Sequence, residues 1–489
     1  MFEKIMNSKY SPKVILLLIV LFVIFYFFKI GTVPYVRADE GWFTEGSYVL
    51  AEKGYYGSPM FTGYYGAENS FHFHPPLHYV LQAGVFKLFG FGILQGRLLS
   101  LFLTLSALFI FYQVILLLLS DKEKIFKLLP ILLVLSTPLS FVIARTIRPE
   151  NSVLFFGMLA YYLLIRNILR QKSIYLLIGA GICSACAIIA NISGAFILFF
   201  AIVILFAKDR RGIFPFLSGF AIPSFIYVLW IIANWPDFYG QVILQRSGEV
   251  NHISAIAVNI IGFFMDKVKV TIHASFLMIF MTYALVKKRE VFNKDYWLFY
   301  FLPFITFGFQ LLFLPHINPL YFVLLLPFIY LNFAYVYSNL NRSYFFSILL
   351  VLLLAVNIFG DYKYFKQYDG YDYETYINRL TKNIPYDSVV LGEVSLYPGI
   401  HNKGYSTYYA YENARITGGG DYQTLKKRIK EYKIDIIILD AWYGAHQHPG
   451  FAEFFNNDVV EIDRFVSPDY GSEGESRNNL IRIYRVKAE

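Results

Sequence analysis

Apolar positions in this chain come in long unbroken runs, not in the short alternations of a soluble core. Val14–Phe28, Leu98–Leu119 and Ser347–Phe359 hold almost no charge. A run near 20 residues matches the hydrocarbon thickness of a bilayer. The runs predict about eleven transmembrane helices, at 12–30, 97–119, 125–143, 150–168, 173–190, 193–207, 213–233, 270–287, 296–314, 318–338 and 343–360. Residues 77–91 are apolar but short, and read as an amphipathic or re-entrant helix at the outer interface. A full span there would reverse every later loop. After Gly360 the apolar stretches shorten to strand length, at 389–394, 434–439, 459–465 and 480–486, with helical patterns at 373–383 and 422–432 between them. Strands alternating with helices predict a small α/β domain. The chain therefore reads as a mainly α polytopic membrane protein, with a transmembrane domain over 1–360, an outer loop at 31–96, and a soluble extracytoplasmic α/β domain over 361–489.

Composition supports this class. Hydrophobic residues make up 57% and charged residues 16%, against about 25% charged in soluble proteins. Residues 1–360 hold 27 Lys and Arg against 15 Asp and Glu, while 361–489 hold 16 against 19. The positive excess thus belongs to the membrane part and reports orientation, not nucleic-acid binding. Bases cluster in alternate connections: Lys122, Lys124 and Lys127; Arg166, Arg170 and Lys172; Lys208, Arg210 and Arg211; Lys287, Lys288, Arg289 and Lys294; then Arg342. These and the N-terminus are expected to be cytoplasmic, which leaves 31–96, 144–149, 191–192, 234–269, 315–317 and the tail outside. The first segment lacks a small-residue cleavage site and reads as a retained helix. Cys183 and Cys186 lie three apart in one apolar run and read as small buried residues. Gly418–Gly420 does not directly join a strand to a phosphate-binding helix, so it reads as a turn.

Candidate chemistry lies in the outer loops, since ionisable groups near the bilayer are costly and tend to be functional. Asp39 and Glu40 follow the first span within Val36–Trp42. They suit a general base, with a solvated helix cap as the alternative. His72, His74 and His78 fall within seven residues. His72 and His74 are weak candidates for a metal, and contact with phosphate or substrate is the preferred role. Arg145 and Arg148 at the outer end of the third span break the positive-inside pattern. They call for an anionic ligand or for ion pairs with Glu150 or an outer-loop acid. The loop 234–269 adds Asp237, Arg246, Glu249 and His252. The tenth span opens with His316, Asn318, Pro319 and Tyr321.

In order and approximate spacing these segments resemble the C-type glycosyltransferases, particularly the protein O-mannosyltransferase and aminoarabinose transferase group. The residues that carry the resemblance are Asp39-Glu40, His74-Pro75-Pro76-Leu77, Arg97-Leu98, Arg145-x-x-Arg148-Pro149-Glu150 and Pro319-Leu320-Tyr321 with Pro327, over roughly residues 10–340. The resemblance implies a multi-pass fold with an outward-facing cavity, a polyprenyl-phosphate-linked sugar donor and an inverting hexosyl- or pentosyl-type transfer. The acceptor would be a hydroxyl of a glycan, lipid or protein. Asp39 would take the acceptor proton, with Glu40 beside it. Arg145, Arg148, His74, His316 and Arg246 would offset the leaving phosphate, Glu150 would orient acceptor or arginine, and Tyr321 would line the substrate site. The chain departs from the aminoarabinose transferases where they carry Glu-Lys-Pro-Pro and it has Phe73-His74-Pro75-Pro76. It also has Trp42 near the place of a basic residue, and His316 and Asn318 where Arg or Lys commonly opens the late helix. No cofactor is required by this reading, though it leaves room for a divalent cation. A transporter or flippase of lipid-linked sugars would instead need mid-helix charges and internal repeats, and no clear repeat is found. A non-catalytic assembly scaffold is the third reading.

Overall fold

The computed structural model describes residues 11–244, 292, 294–311, 319–340, 344–367, 372–401, 404–407, 422–439, 454, 457–466 and 480–487. Among these, helices occupy ten of the eleven expected spans, and the span at 270–287 lies outside the described residues. Helices α1 (Ser11–Phe27), α2 (Ala38–Lys53), α3 (Leu77–Phe89) and α4 (Ile93–Leu118) are followed by α5 (Lys124–Leu135) and α6 (Pro138–Ala144). Then come α7 (Glu150–Leu169), α8 (Ile174–Ala190), α9 (Ala195–Lys208), α10 (Ile213–Ala233), α11 (Leu302–Leu311), α12 (Leu326–Asn339) and α13 (Tyr344–Gln367). Five helical stretches are long and apolar enough to cross a membrane. The bent pair α5–α6 makes a sixth, and four shorter apolar helices lie with them, all among the described residues. The chain is a multi-pass membrane protein.

Burial sorts these helices. Those facing lipid keep their apolar side chains outside: Leu17, Leu21 and Ile24 of α1 and Phe214, Phe225 and Ile226 of α10 are exposed. Helix α12 sits inside, with Leu326, Phe328, Tyr330, Leu331 and Phe333 buried. The third span turns by 66° between α5 and α6. Pro138 opens α6 and has no N–H to continue the α5 ladder, while Thr137 Oγ1 donates back to Leu133 O (2.7 Å). The turn aims the end of α6, and the four residues after it, into the outer loop.

Residues 77–89 form a 13-residue helix, α3, packed on α2. Its length is too short to span. Cys183 and Cys186 lie on α8, unpaired, with Cys183 buried.

Helix α13 runs without a break from Tyr344 to Gln367, past the change of composition at Gly360. The tail then forms α14 (Tyr373–Thr381), β1 (Val389–Gly392), a 3₁₀ turn at Val394–Leu396, α15 (Tyr397–Ile400), β2 (Gly404–Thr407), α16 (Tyr422–Glu431), β3 (Ile436–Leu439), β4 (Val459–Val466) and β5 (Leu480–Val486). The sheet order is β2-β1-β3-β5-β4. Strand β1 runs parallel to both β2 and β3, while β3–β5 and β4–β5 are antiparallel. The expected strands and helices are present. Strand β2 is an addition, defined by its register on β1. Gly418–Gly420 lies outside the described residues. One buried cluster contains Val36, Phe43, Phe71 and Tyr79 of the outer loop together with Val394, Leu396 and Tyr397 of the tail, so the tail is seated on that loop.

Candidate active site

Asp39 and Glu40 open α2, a position that favours acidic residues. Their side chains diverge. Glu40 is fully buried, and its carboxylate accepts four hydrogen bonds. Arg97 of α4 donates two, from Nε at 2.9 Å and Nη2 at 2.8 Å, and backbone N–H groups of Ile147 (3.1 Å) and Arg37 (3.2 Å) donate the others. Arg97 Nη1 donates in turn to Ile30 O at 3.0 Å. Glu40 therefore has no free lone pair for a substrate proton, which corrects its expected place beside Asp39 as a reacting group. It caps α2 and bolts it to α4.

Asp39 points outward, with a side chain 46% exposed and ion-paired with Arg148 Nη1. Arg148 is almost fully buried, and its Nε and Nη2 donate to Glu150 at 3.1 and 2.9 Å. Burial opposes the Arg148 charge, but Glu150 and Asp39 more than offset it and hold the guanidinium more firmly charged than usual. Tyr321 lies close enough to act on that charge. The Asp39–Arg148–Glu150 group thus carries a net charge of about −1 with its one open face at Asp39, by formal charges of ionised side chains.

Arg145 does not join this group. Its Nε donates to Val33 O (3.1 Å), Nη1 to Phe25 O and Tyr26 O (3.1 and 2.8 Å), and Nη2 to Phe28 O and Val33 O (2.7 and 2.9 Å). All its donors serve carbonyls at and after the C-terminus of α1, the orphan acceptors of a helix end. The expected phosphate role of Arg145 is corrected accordingly. Arg246 and His316 lie outside the described residues.

The three histidines separate. His72 stacks on Trp230 (4.2 Å between ring centres) and meets Ser70 Oγ at 3.1 Å. Ser70 also donates to Asp237 at 2.6 Å, and the His72 N–H donates to Gln241 Oε1 at 2.7 Å. Asp237 and Gln241 thus tie the loop after α10 to the outer loop. Burial pushes the His72 pKa down to about 4. His78 meets Ser152 Oγ at 3.0 Å through Nδ1. Burial, with His74 and Arg148 adding to it, pushes its pKa down to about 3. His74 packs between Trp42 and Phe43, at 5.6 and 5.1 Å between ring centres, and Phe43 lies 5.9 Å beneath the Arg148 guanidinium. Among the described residues no three His, Cys, Asp or Glu groups come together to hold a metal ion. Within the described residues His72 and His74 make different contacts, with Trp230 and Ser70 for the first and with Trp42 and Phe43 for the second.

One supporting residue escaped the sequence reading. Asn151 Nδ2 donates to the carbonyls of Ile143, Thr146 and Arg148 (3.0, 3.3 and 3.2 Å), and its Oδ1 accepts from Thr104 at 2.8 Å. It fixes the turn that presents Arg148. The signal was an amide directly after Pro149-Glu150, at the start of an apolar run.

Residues 73–235 match the family model for dolichyl-phosphate-mannose-protein mannosyltransferase. This stretch includes His74, Arg145, Arg148 and Glu150 and begins after Asp39. No curated protein sequence matches the chain. Among solved structures, ArnT from Cupriavidus metallidurans bound to undecaprenyl phosphate aligns over 98% of both chains, with a TM-score of 0.62 and 10% identity. The Archaeoglobus fulgidus oligosaccharyltransferase AglB, in complex with an inhibitory peptide and a dolichol-phosphate, aligns over 97% of this chain and 76% of its own, with a TM-score of 0.54 and 12% identity. The same organism's oligosaccharyltransferase tethered to an acceptor peptide aligns over 88% and 69%, with a TM-score of 0.56 and 12% identity.

The chain is a membrane protein of the C-type glycosyltransferase fold. On this glycosyltransferase fold the loop helix α2, the bend α5–α6 and the start of α7 converge on one charged group at the end of the bundle that also carries the tail.

Proposed function

We propose that the protein is an inverting glycosyltransferase that moves a sugar from a polyprenyl-phosphate donor to an acceptor hydroxyl at the outer face of the membrane. The observation that carries this reading is the half-exposed Asp39 carboxylate, held by an arginine that Glu150 fixes in place. Asp39 accepts the proton of the acceptor hydroxyl as that oxygen attacks C1 of the sugar. The C1–phosphate bond breaks, and the lipid phosphate departs with the electron pair. Arg148 orients Asp39 and stays bound to both carboxylates. Because that group is net negative, the leaving phosphate needs positive charge from elsewhere. His74, beside Phe43 and Trp42, is the described candidate, with Arg246 and His316 kept as sequence expectations. Tyr321 near Arg148 supports a substrate-lining role for the start of the tenth span.

The lipid phosphates named for ArnT and AglB support the donor class, and the peptides of the oligosaccharyltransferase structures support an acceptor that arrives from water. The family model for dolichyl-phosphate-mannose-protein mannosyltransferase supports a lipid-phosphate sugar donor and keeps protein among the acceptors. The orientation follows the loop charges, with the N-terminus cytoplasmic and the tail extracytoplasmic.

The test incubates purified protein with a panel of polyprenyl-phosphate hexoses and pentoses plus hydroxyl acceptors, and measures release of polyprenyl phosphate. Release from at least one donor, lost in Asp39→Asn, is expected. Absence of release across the panel, or full release by Asp39→Asn, would refute the reading.

A further inference from the structure

The tail meets the site helix without clearance at one place. Gly41 follows Asp39 and Glu40 and is buried in the first turn of α2. A β-carbon there would overlap the backbone carbonyl of Val394. Glycine is a poor helix former, about 1 kcal/mol worse than alanine in a helix interior, so helix propensity does not account for it. Close approach of a second backbone does.

Both sides of this contact are braced. On the tail side, Val394 opens the 3₁₀ turn Val394–Leu396. Ser395 N–H donates to the Glu393 carboxylate at 2.5 Å, and the Tyr405 hydroxyl donates to the Glu393 carbonyl. The Tyr373 hydroxyl donates to Ser395 O at 2.9 Å and accepts from Gly399 N–H at 3.1 Å. Farther along, His401 packs on Tyr48 of α2 (5.1 Å) and on Phe91 (4.2 Å) between ring centres. On the membrane side, Glu40 bolts the same turn of α2 to Arg97 and Ile147, and Ser47 donates to Gln82 of α3 at 3.1 Å. Helix α2 is therefore gripped between α3, α4 and the tail. Neither wall at Gly41 ends in a flexible side chain that could swing aside.

We infer that Gly41 is a positioning residue, through which the tail turn Val394–Leu396 sets where the Asp39 carboxylate stands relative to Arg148. This rests on the reading of Asp39 as the base. The tail then takes part in transfer without touching substrate. A β-carbon at Gly41 must displace either the first turn of α2 or the tail turn. Displacement near 1 Å at a reacting group lowers turnover on the order of 10²-fold.

The experiment uses the full chain with the donor turned over in the panel above, and compares wild type, Gly41→Ala, Val394→Ala and Asp39→Asn. Turnover per folded molecule, donor KM and thermal unfolding are measured together. Gly41→Ala is expected to lower kcat by about 10- to 100-fold with donor KM within about twofold, the split that a misplaced base produces. Val394→Ala, which keeps the carbonyl but removes the methyl groups that seat this turn beside Gly41, is expected to lower kcat about fivefold with the same unchanged KM. It decides the matter if Gly41→Ala does not accumulate. A merely structural contact would lower the unfolding temperature and leave kcat per folded molecule within about twofold of wild type. That result in the variants recovered, with Asp39→Asn inactive, overturns the positioning role alone. Full activity of Asp39→Asn overturns the base reading instead.

Discussion

Two layers of charge lie at the end of this bundle, a few residues apart in sequence. The inner layer pairs Glu40 with Arg97 and gives every donor of Arg145 to backbone carbonyls. The outer layer links Glu150, Arg148 and Asp39 and ends in a carboxylate that is half open. Neighbours of like charge are thus split between the layers: Asp39 from Glu40, and Arg148 from Arg145. Charge at a membrane rim therefore does not mark chemistry by itself. What separates the layers is whether a side chain still has an atom to offer once its partners are satisfied, and in the outer layer only Asp39 presents one broadly to solvent.

The sharpest break of this comparison is Asp39→Asn. Loss of a general base lowers turnover by about 10²- to 10⁴-fold. The side chain is half exposed, so thermal unfolding should move little. Turnover and unfolding temperature measured on the same preparation check both halves, and a large loss of stability would place Asp39 in the inner layer.

Arg97→Ala should do the reverse. It leaves the buried Glu40 carboxyl short of two of its four donors. Removing one partner of a buried pair costs about 3–5 kcal/mol. The expected outcome is a strong fall in folded yield and unfolding temperature, and the folded fraction should keep its donor KM. Arg145→Leu is expected to destabilise less, because carbonyls at a helix end can recruit water where a buried carboxylate cannot. Its donor KM should stay within about twofold of wild type, as for lost binding that never existed. A rise in KM of about tenfold or more would return Arg145 to the phosphate.

The spans were legible because lipid-facing helices must be apolar on almost every side, and a 13-residue run such as 77–89 declares itself too short. The tail strands followed from their short apolar runs, except β2. Gly404–Thr407 is short and polar, and exists through its pairing with β1. At the site, the sequence brought the right segments together by order and spacing. It could not divide Asp39 from Glu40 or Arg145 from Arg148, since that depends on partners 57 to 120 positions away in the chain. Ion pairing with Glu150 or an outer-loop acid was one of the two readings left open, and Arg148 has both partners. The seat of the tail on α2 was invisible for the same reason, being a tertiary contact with no local pattern, whereas Asn151 serves mostly carbonyls three to eight residues before it and left only an amide at the start of an apolar run as its signal.

The last expected effect, read only as a change with pH, tests how dry the seat of α2 on the loop at Ser58–Met60 is. Glu45 lies on α2 and is buried, accepting from Met60 N–H at 2.6 Å and from the Ser58 hydroxyl. Burial pushes its pKa up to about 8, with those two hydrogen bonds pulling the other way. The folded protein therefore holds this proton through a range where the unfolded chain, near the ordinary value of 4.5, has released it. The contribution is fully present below the unfolded value and is lost as pH rises through the folded one. Between those values stability falls with pH by up to about 1.4 kcal/mol per unit from this group. Glu45→Gln keeps a neutral side chain of the same shape and removes that slope. The unfolding temperature of the variant relative to wild type should thus climb as pH is raised from 5 to 9, by a few degrees. A difference that stays flat across this range would mean that water reaches Glu45, and that the seat between α2 and the loop at Ser58–Met60 is wet.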